Sequence, residues 1–534
     1  MNITVRNIKI SAFFLSLLFI ITILLLFGSL YDTGDDLGNK CRIEGILHFS
    51  KPRSNLVFVK ALLAEIIMFL PGLNLIGIAK YDLFQFLILA AIIYYLIFNI
   101  LINKKSIINS IPLILIIFLA ILPIIIRPQY TNTAGLLALV FVLFLINNQN
   151  SYSNYKFFLV SILLCFIGYG LRKEMFLTVL VMLVPLIMTD VLRKPYFEFA
   201  KIKRLFAFFL IIILSIGSLE FYEKKVGTEL EIESRKNTLG SKFSKIFDYN
   251  YARKFRKPSN YDVFIKSGLS QNDLDLIARG FYWKGIDTLF TRVEGSIKEL
   301  TNRQSKMSLL ITVKSSYNYL LTKDLWVYTL GLIILLVFIA TKVPLQQLLP
   351  YLFSFVLFLG VVFLYGWIQR YSFTRLFYAP LISLIVILLI QTRHFKGSTW
   401  LKGILIVLFS FNAIISINSH TRRLNDARDM TIKVHNAELL LDSIVVFGGQ
   451  INFEYLYPPF PLKGTPPLPK FKVTSAVEAI NRLNQESKEM ILSDSLSLKS
   501  LNIFCQEHFN RNLKSRTINQ DIGLYEVSME PTSK

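Results

Sequence analysis

Long apolar runs separated by short polar stretches fill most of the chain. The first extends from Ile10 to Leu30, and others follow at approximately 83–102, 107–126, 133–147, 157–171, 175–192, 205–220, 325–341, 348–366, 376–391 and 401–418. About 20 apolar residues suffice for a helix to cross a bilayer. The pattern therefore predicts an all-α polytopic membrane protein with about 11 transmembrane helices. The segment from Leu56 to Leu70 is different. It is short, carries Lys60 and Glu65, and stops at Pro71-Gly72, so it reads as a helix lying at the membrane surface.

Two polar regions break this rhythm. The loop 221–324 holds a helix-start signature, Ser270 followed by Asp273, opening a helix to about Trp283. A second helix is expected from Ile286 to Leu300. The tail alternates strand-like pieces, Ser443–Phe447, Met490–Leu492 and Gly523–Val527, with an amphipathic helix from Ala476 to Glu489. It reads as a small α/β domain. The expected organisation is a membrane domain over 1–220 containing a first external loop at 31–80, the large loop 221–324, membrane helices over 325–418, and the α/β domain over 419–534.

Basic residues set the orientation. Alternate short loops, with the N-terminus, carry 14 Lys and Arg; the opposite short loops carry five, namely Arg127, Arg172, Lys173, Arg370 and Arg375. The positive-inside rule makes the first set cytoplasmic. The turn after the first run, the large loop and the tail then all lie outside. Arg6 and Lys9 ahead of the first run imitate a secretory signal, but the run is long and no small-residue cleavage pattern follows, so it reads as an uncleaved span.

Composition refines this picture. The chain has 534 residues, 53% of them hydrophobic, and a formal charge of +23. That charge fits loops facing anionic lipid and phosphate; no nucleic-acid motif is present, which argues against a nucleic-acid partner. The five histidines show no metal-ligand spacing. Cys41 and Cys505 fall on one side of the membrane, where a bridge between them stays open as an expectation. No internal repeat is evident, which weakens a transporter reading.

The candidate chemistry starts at Asp32-Thr33-Gly34-Asp35-Asp36, directly after the first span. A carboxylate there suits a general base that deprotonates an acceptor hydroxyl. An ordinary polar loop is the plain alternative. Arg172 and Lys173, embedded between two spans, suit a phosphate clamp or simple snorkelling to the surface. Arg370 and Arg375 stand among aromatics at the membrane face and suit a lipid phosphate. Arg253 is a further phosphate or sugar contact, or a partner of Asp248; Asp287 is a weaker candidate.

The order of these features resembles the glycosyltransferase C superfamily over nearly the whole chain. It comprises Asp35-Asp36 after span one, Leu56-Val57-Phe58 opening the surface helix, and the stretch Arg127 to Thr133 before span four. Gly170-Leu171-Arg172-Lys173-Glu174 comes next. Tyr249-Asn250 with Arg253, and Gly268 to Asp273, stand in the large loop, and Arg370 with Arg375 precedes span ten. The resemblance implies an inverting transfer of a sugar from a polyprenyl-phosphate carrier to a glycan, lipid or protein acceptor outside a bacterial cytoplasmic (inner) membrane. One aspartate of the pair would be the base, and basic residues would bind the carrier phosphate. Some members need a divalent metal, Mg or Mn, and others do not. A second acidic motif of the metal-dependent kind is missing, so no metal ligand is assigned. A polysaccharide polymerase or ligase is the second enzyme reading. A lipid-linked-oligosaccharide flippase is the non-enzyme reading, disfavoured because ionisable residues cluster at span ends.

Overall fold

The computed structural model describes residues 5–31, 34–45, 52, 54, 56, 59–72, 78–104, 108–147, 155–192, 210, 212–225, 268, 270, 272–273, 320, 325–367, 375–392, 398–436, 444–446, 458–460, 473–474, 483, 488–492, 495–520 and 524–531. The apolar runs are helices: α1 (Val5–Phe27), α4 (Lys80–Lys104), α5 (Ile111–Ile126), α6 (Tyr130–Asn147), α7 (Tyr155–Leu171), α8 (Lys173–Leu192), α9 (Trp326–Ala340), α10 (Leu345–Trp367), α11 (Arg375–Thr392) and α12 (Ser398–Asn436). The run at 205–220 is helical over its described part. Among the described residues, five helices are long and apolar enough to cross a membrane, and four shorter apolar ones accompany them. A helix satisfies its own backbone, which lipid cannot do.

Packing decides which helices form the centre. In α6, 83% of the apolar window is buried, against 28% in α1 and in α12. Helix α6 is therefore the central post, packed against α4, α7, α8 and α11. Helix α1 leaves Phe14, Leu18, Leu25 and Leu26 exposed on its outer face, as expected of a lipid-facing helix. Gly135 permits a close approach of α6 to α11 and α8. A Cβ there would meet the Ala379 Cβ at 2.5 Å and the Met175 Cγ at 3.1 Å. The Ala379 atom is fixed to its backbone and cannot swing aside. Gly135→Ala is expected to cost about 1–3 kcal/mol, read as a lower thermal midpoint in detergent, while Gly403→Ala, which meets nothing within 4 Å, leaves the midpoint unchanged or raises it.

Two short helices follow α1. Gly28 ends α1 with φ +65°, a conformation open to glycine, and its N–H returns to the Leu24 carbonyl at 2.9 Å. Helix α2 covers Gly34–Glu44 and α3 covers Ala61–Phe69. With nine residues, α3 spans about 13 Å and cannot cross a hydrocarbon core of about 30 Å. It buries Leu63, Ala64 and Ile67 and leaves Phe69 exposed. The two charges read in this segment are engaged: Lys60 pairs with Glu220 at 2.9 Å, and Glu65 accepts from the Tyr222 hydroxyl at 2.7 Å.

Helix α12 continues well past the expected end of its span at 418. Its 39 residues extend about 58 Å. After Gly403 no glycine or proline interrupts it before Asn436, so the helix persists where the apolar pattern stops. The boundary placed at 419 thus falls inside a helix. Beyond it lies a five-stranded sheet of order β2-β1-β3-β5-β4. Its members are β1 (Ile444–Val446), β2 (Val473–Thr474), β3 (Glu489–Leu492), β4 (Arg511–Asn519) and β5 (Leu524–Pro531), with α13 (Ser495–Phe509) before β4. Strands β2, β1 and β3 are parallel, and β5 and β4 join antiparallel. The expected α/β character holds. The helix expected over 476–489 lies mostly outside the described residues, and Glu489 starts β3 rather than ending a helix. Cys41, Cys165 and Cys505 are all free and buried, so no bridge joins Cys41 to Cys505.

Candidate functional site

Contacts gather the acidic turn, the α5–α6 and α7–α8 turns, residues 220–223 and the middle of α12 at one end of the bundle. The Leu30 N–H donates to the Ile126 carbonyl at 3.1 Å, and the Lys60 N–H to the Gly170 carbonyl at 2.8 Å. Arg127 donates to Ser419 Oγ at 2.9 Å, and Arg423 to the Tyr31 carbonyl at 3.1 Å. The Ala61 N–H donates to Glu223 at 2.9 Å. These are the stretches the loop charges place on a common side.

Asp36 is fully buried. Its Oδ1 accepts from the Tyr81 hydroxyl at 2.9 Å, from Gln85 Nε2 at 3.0 Å and from the Tyr130 backbone N–H at 3.3 Å. Helices α4 and α6 thus both grip the first turn of α2 through one carboxylate. Asp35 stands beside it in that turn. A second buried group lies alongside. Asp82 accepts from the Tyr31 hydroxyl and pairs with Lys40 at 2.9 Å. Burial first, and the Asp82 charge second, push the Tyr31 hydroxyl well above its ordinary pKa, so it remains a donor. Burial likewise pushes the Cys41 thiol up to about 12, which rules it out as a thiolate nucleophile at neutral pH.

Arg172 joins this site through Tyr130. Its guanidinium donates to the Tyr130 hydroxyl at 3.3 Å and lies 5.7 Å from the ring centroid. Tyr130 therefore touches Asp36 with its backbone and Arg172 with its side chain. Arg172 also pairs with Glu174 at 3.1 Å, and Lys173 lies 3.7 Å from Glu220, which accepts from Tyr169 at 2.6 Å. Both basic residues have carboxylate neighbours, so a phosphate would share or exchange these partners. Arg375 begins α11, but its side chain is not among those described. Arg253, Arg370 and Asp287 lie outside the described residues.

Sequence reasoning missed Lys40, Tyr81, Asp82 and Gln85. Asp82 and Gln85 are polar residues one helical turn apart at the head of an apolar run, and that spacing was a usable signal.

A separate contact ties the large loop to the α/β domain. Ser270 and Asp273 form the expected reciprocal cap, each backbone N–H donating to the other's side chain at 3.0 Å. Asn272 donates to the Ser500 carbonyl and Ser270 to Glu507, each at 2.9 Å. His508 Nε2 meets buried Asp273 Oδ1 at 2.9 Å. Asp273, Glu507 and His508 offer ligand atoms within 4.8 Å of one another, yet each is already hydrogen-bonded as part of this dock. The Asp273 hydrogen bond raises the His508 pKa above its ordinary 6.5. A raised folded pKa contributes stability that is full below the unfolded value and is lost as pH rises through the folded one. Protection from hydrogen exchange at 268–273, measured relative to the intrinsic rate at each pH, is therefore expected to fall above about pH 6.5, and His508→Asn to flatten that dependence. Protection that is insensitive to pH in the parent would remove the protonated pair.

The chain matches no protein-family model, no curated protein and no solved structure.

Proposed function

We propose that this protein is an inverting glycosyltransferase of the glycosyltransferase C type. It spans the bacterial cytoplasmic membrane about 11 times and acts on the outer face. It takes a sugar from a polyprenyl-phosphate carrier and passes it to a glycan, lipid or protein of the envelope. The observation that carries this reading is the pairing of an acidic turn with a basic one through Tyr130, which contacts both Asp36 and Arg172. A base and a phosphate-binding cation are the two parts the reaction needs at one place.

Asp36 is committed through Oδ1 to α4 and α6, and the chemistry is assigned to its neighbour Asp35. Asp35 takes the proton of an acceptor hydroxyl. The hydroxyl oxygen attacks the anomeric carbon from the face opposite the phosphate. The new glycosidic bond forms as the bond from that carbon to the phosphate oxygen breaks, so configuration inverts. Polyprenyl phosphate leaves with the bonding electrons. Arg172 and Lys173, with Arg253, Arg370 and Arg375 from the outer loops, stabilise the charge it gains. A Mg or Mn ion would add to that stabilisation, and no residue is assigned to it. Helix α3 lies at the membrane surface beside the turn and steers the carrier headgroup.

The test is transfer in proteoliposomes. The purified protein is given a panel of radiolabelled polyprenyl-phosphate sugars and an envelope extract as acceptor. Label moving from the carrier to the extract supports the reading. Carrier-linked label that only changes leaflet would replace the enzyme by a flippase.

A further inference from the structure

We propose that the tail segment 458–460 is a fixed strut of the acidic-turn site and that Lys40 is the positioning residue through which it acts. The role in catalysis rests on the sugar-transfer reading; the physical tie does not. Ser29, just beyond α1, forms an isolated antiparallel bridge with Phe460. Ser29 is fully buried, and Phe460 packs against the bundle core. Eleven residues further on, the Lys40 ammonium lies 2.8 Å from the Pro458 carbonyl, 2.9 Å from Asp82 and 5.7 Å from the Tyr31 ring centroid. The tail is thus pinned on both sides of the Asp35-Asp36 turn.

The chemistry of the segment suits a strut. Pro458 and Pro459 lack backbone donors and have fixed φ, so they hold an extended path and present carbonyls with no N–H left to satisfy. Lys40 supplies the donor. Its other partner, Asp82, adjoins Tyr81 in the first turn of α4, and Tyr81 with Gln85 holds Asp36. The line from Pro458 to Lys40, Asp82, α4 and Asp36 is continuous. Lys40 and Asp82 are 6% and 1% exposed. A lid that lifts in each cycle would be fastened by solvated contacts; a buried ion pair favours a segment that stays in place.

The test is a cross-link, Ser29→Cys with Phe460→Cys. Residues paired across antiparallel strands have Cα atoms about 4.5–5.5 Å apart, within disulfide range. The native thiols are buried and do not compete. A protease site placed in the 221–324 loop reports the bond, because oxidised fragments stay joined. Efficient closure is expected, with transfer by the oxidised protein equal to that of the reduced one. In the same background Lys40→Met is expected to lower the closure rate at least about tenfold, the loss of a charge-assisted hydrogen bond, and Lys40→Arg to recover most of it. Failure of the cysteines to join would overturn the strut, as would equal closure with Lys40→Met. Closure that abolishes transfer until dithiothreitol is added would make the segment a lid. If the parent transfers no sugar, the sugar-transfer reading fails, and closure in the parent, Lys40→Met and Lys40→Arg alone decides the strut.

Discussion

Asp35→Asn is expected to lower sugar transfer by about 10²–10⁴-fold, the usual contribution of a general base, in a protein that still folds. Asparagine keeps the size of the side chain and removes its basicity. The lost negative charge in the first turn of α2 costs about 0.3–1 kcal/mol through the helix dipole, too little to unfold the bundle. A base acts only in the transition state, so kcat and kcat/KM fall together and the donor KM stays near the parent's. Initial rates over a range of donor concentrations, with a thermal melt in detergent, check both parts. A raised KM with unchanged kcat would assign Asp35 to donor binding instead.

The neighbouring carboxylate gives the opposite signature. Asp36→Ala leaves the Tyr81 hydroxyl, the Gln85 amide and the Tyr130 N–H without the oxygen they now share. Removing one side of a buried charged network costs about 3–5 kcal/mol. A large fall in thermal midpoint and poor recovery from the membrane are the expected results. Asp36→Asn keeps an acceptor oxygen but replaces charge-assisted bonds by neutral ones, for a loss of about 1.5–3 kcal/mol. Tyr81→Phe with Gln85→Leu, made in the Asp36→Ala background, removes two of the orphaned donors and should recover part of the midpoint. An Asp36→Ala protein as stable as the parent would show that Asp36 does not anchor α2.

The bundle was legible because its signal is local. An unbroken apolar run has one good solution in lipid, and every run read as a span has helical residues in the structure. The acidic turn was legible for a similar reason, since carboxylates next to a span stand out. Their partners were not. Lys40 and Asp82 are 42 positions apart, and Lys40 and Pro458 are 418 apart; only folding brings them together. Arg172 and Lys173 show the same limit. Glu174 beside Arg172 was visible, but Glu220 opposite Lys173 was not.

The tail divides differently. Helix α13 buries Leu498, Leu501, Phe504 and Cys505, a helical period that the sequence displays and the reading passed over. Strand β4, Arg511–Asn519, has no buried residue and an exposed centre. Its Lys and Arg residues defend a sheet edge, so it carries no apolar alternation to find. The end of α12 was misplaced because hydropathy marks where lipid ends, and a helix ends only where its own backbone is broken or capped.

The most direct test of the account places the parent, Asp35→Asn and Asp36→Asn in one assay. Each is reconstituted at equal folded amount with a radiolabelled polyprenyl-phosphate sugar that the parent uses. The account predicts transfer by the parent, transfer lowered at least about 10²-fold by Asp35→Asn, and a smaller loss with a lowered melting point for Asp36→Asn. Full transfer by Asp35→Asn would contradict it and move the chemistry away from the acidic turn, toward the outer-loop arginines of a polymerase or ligase.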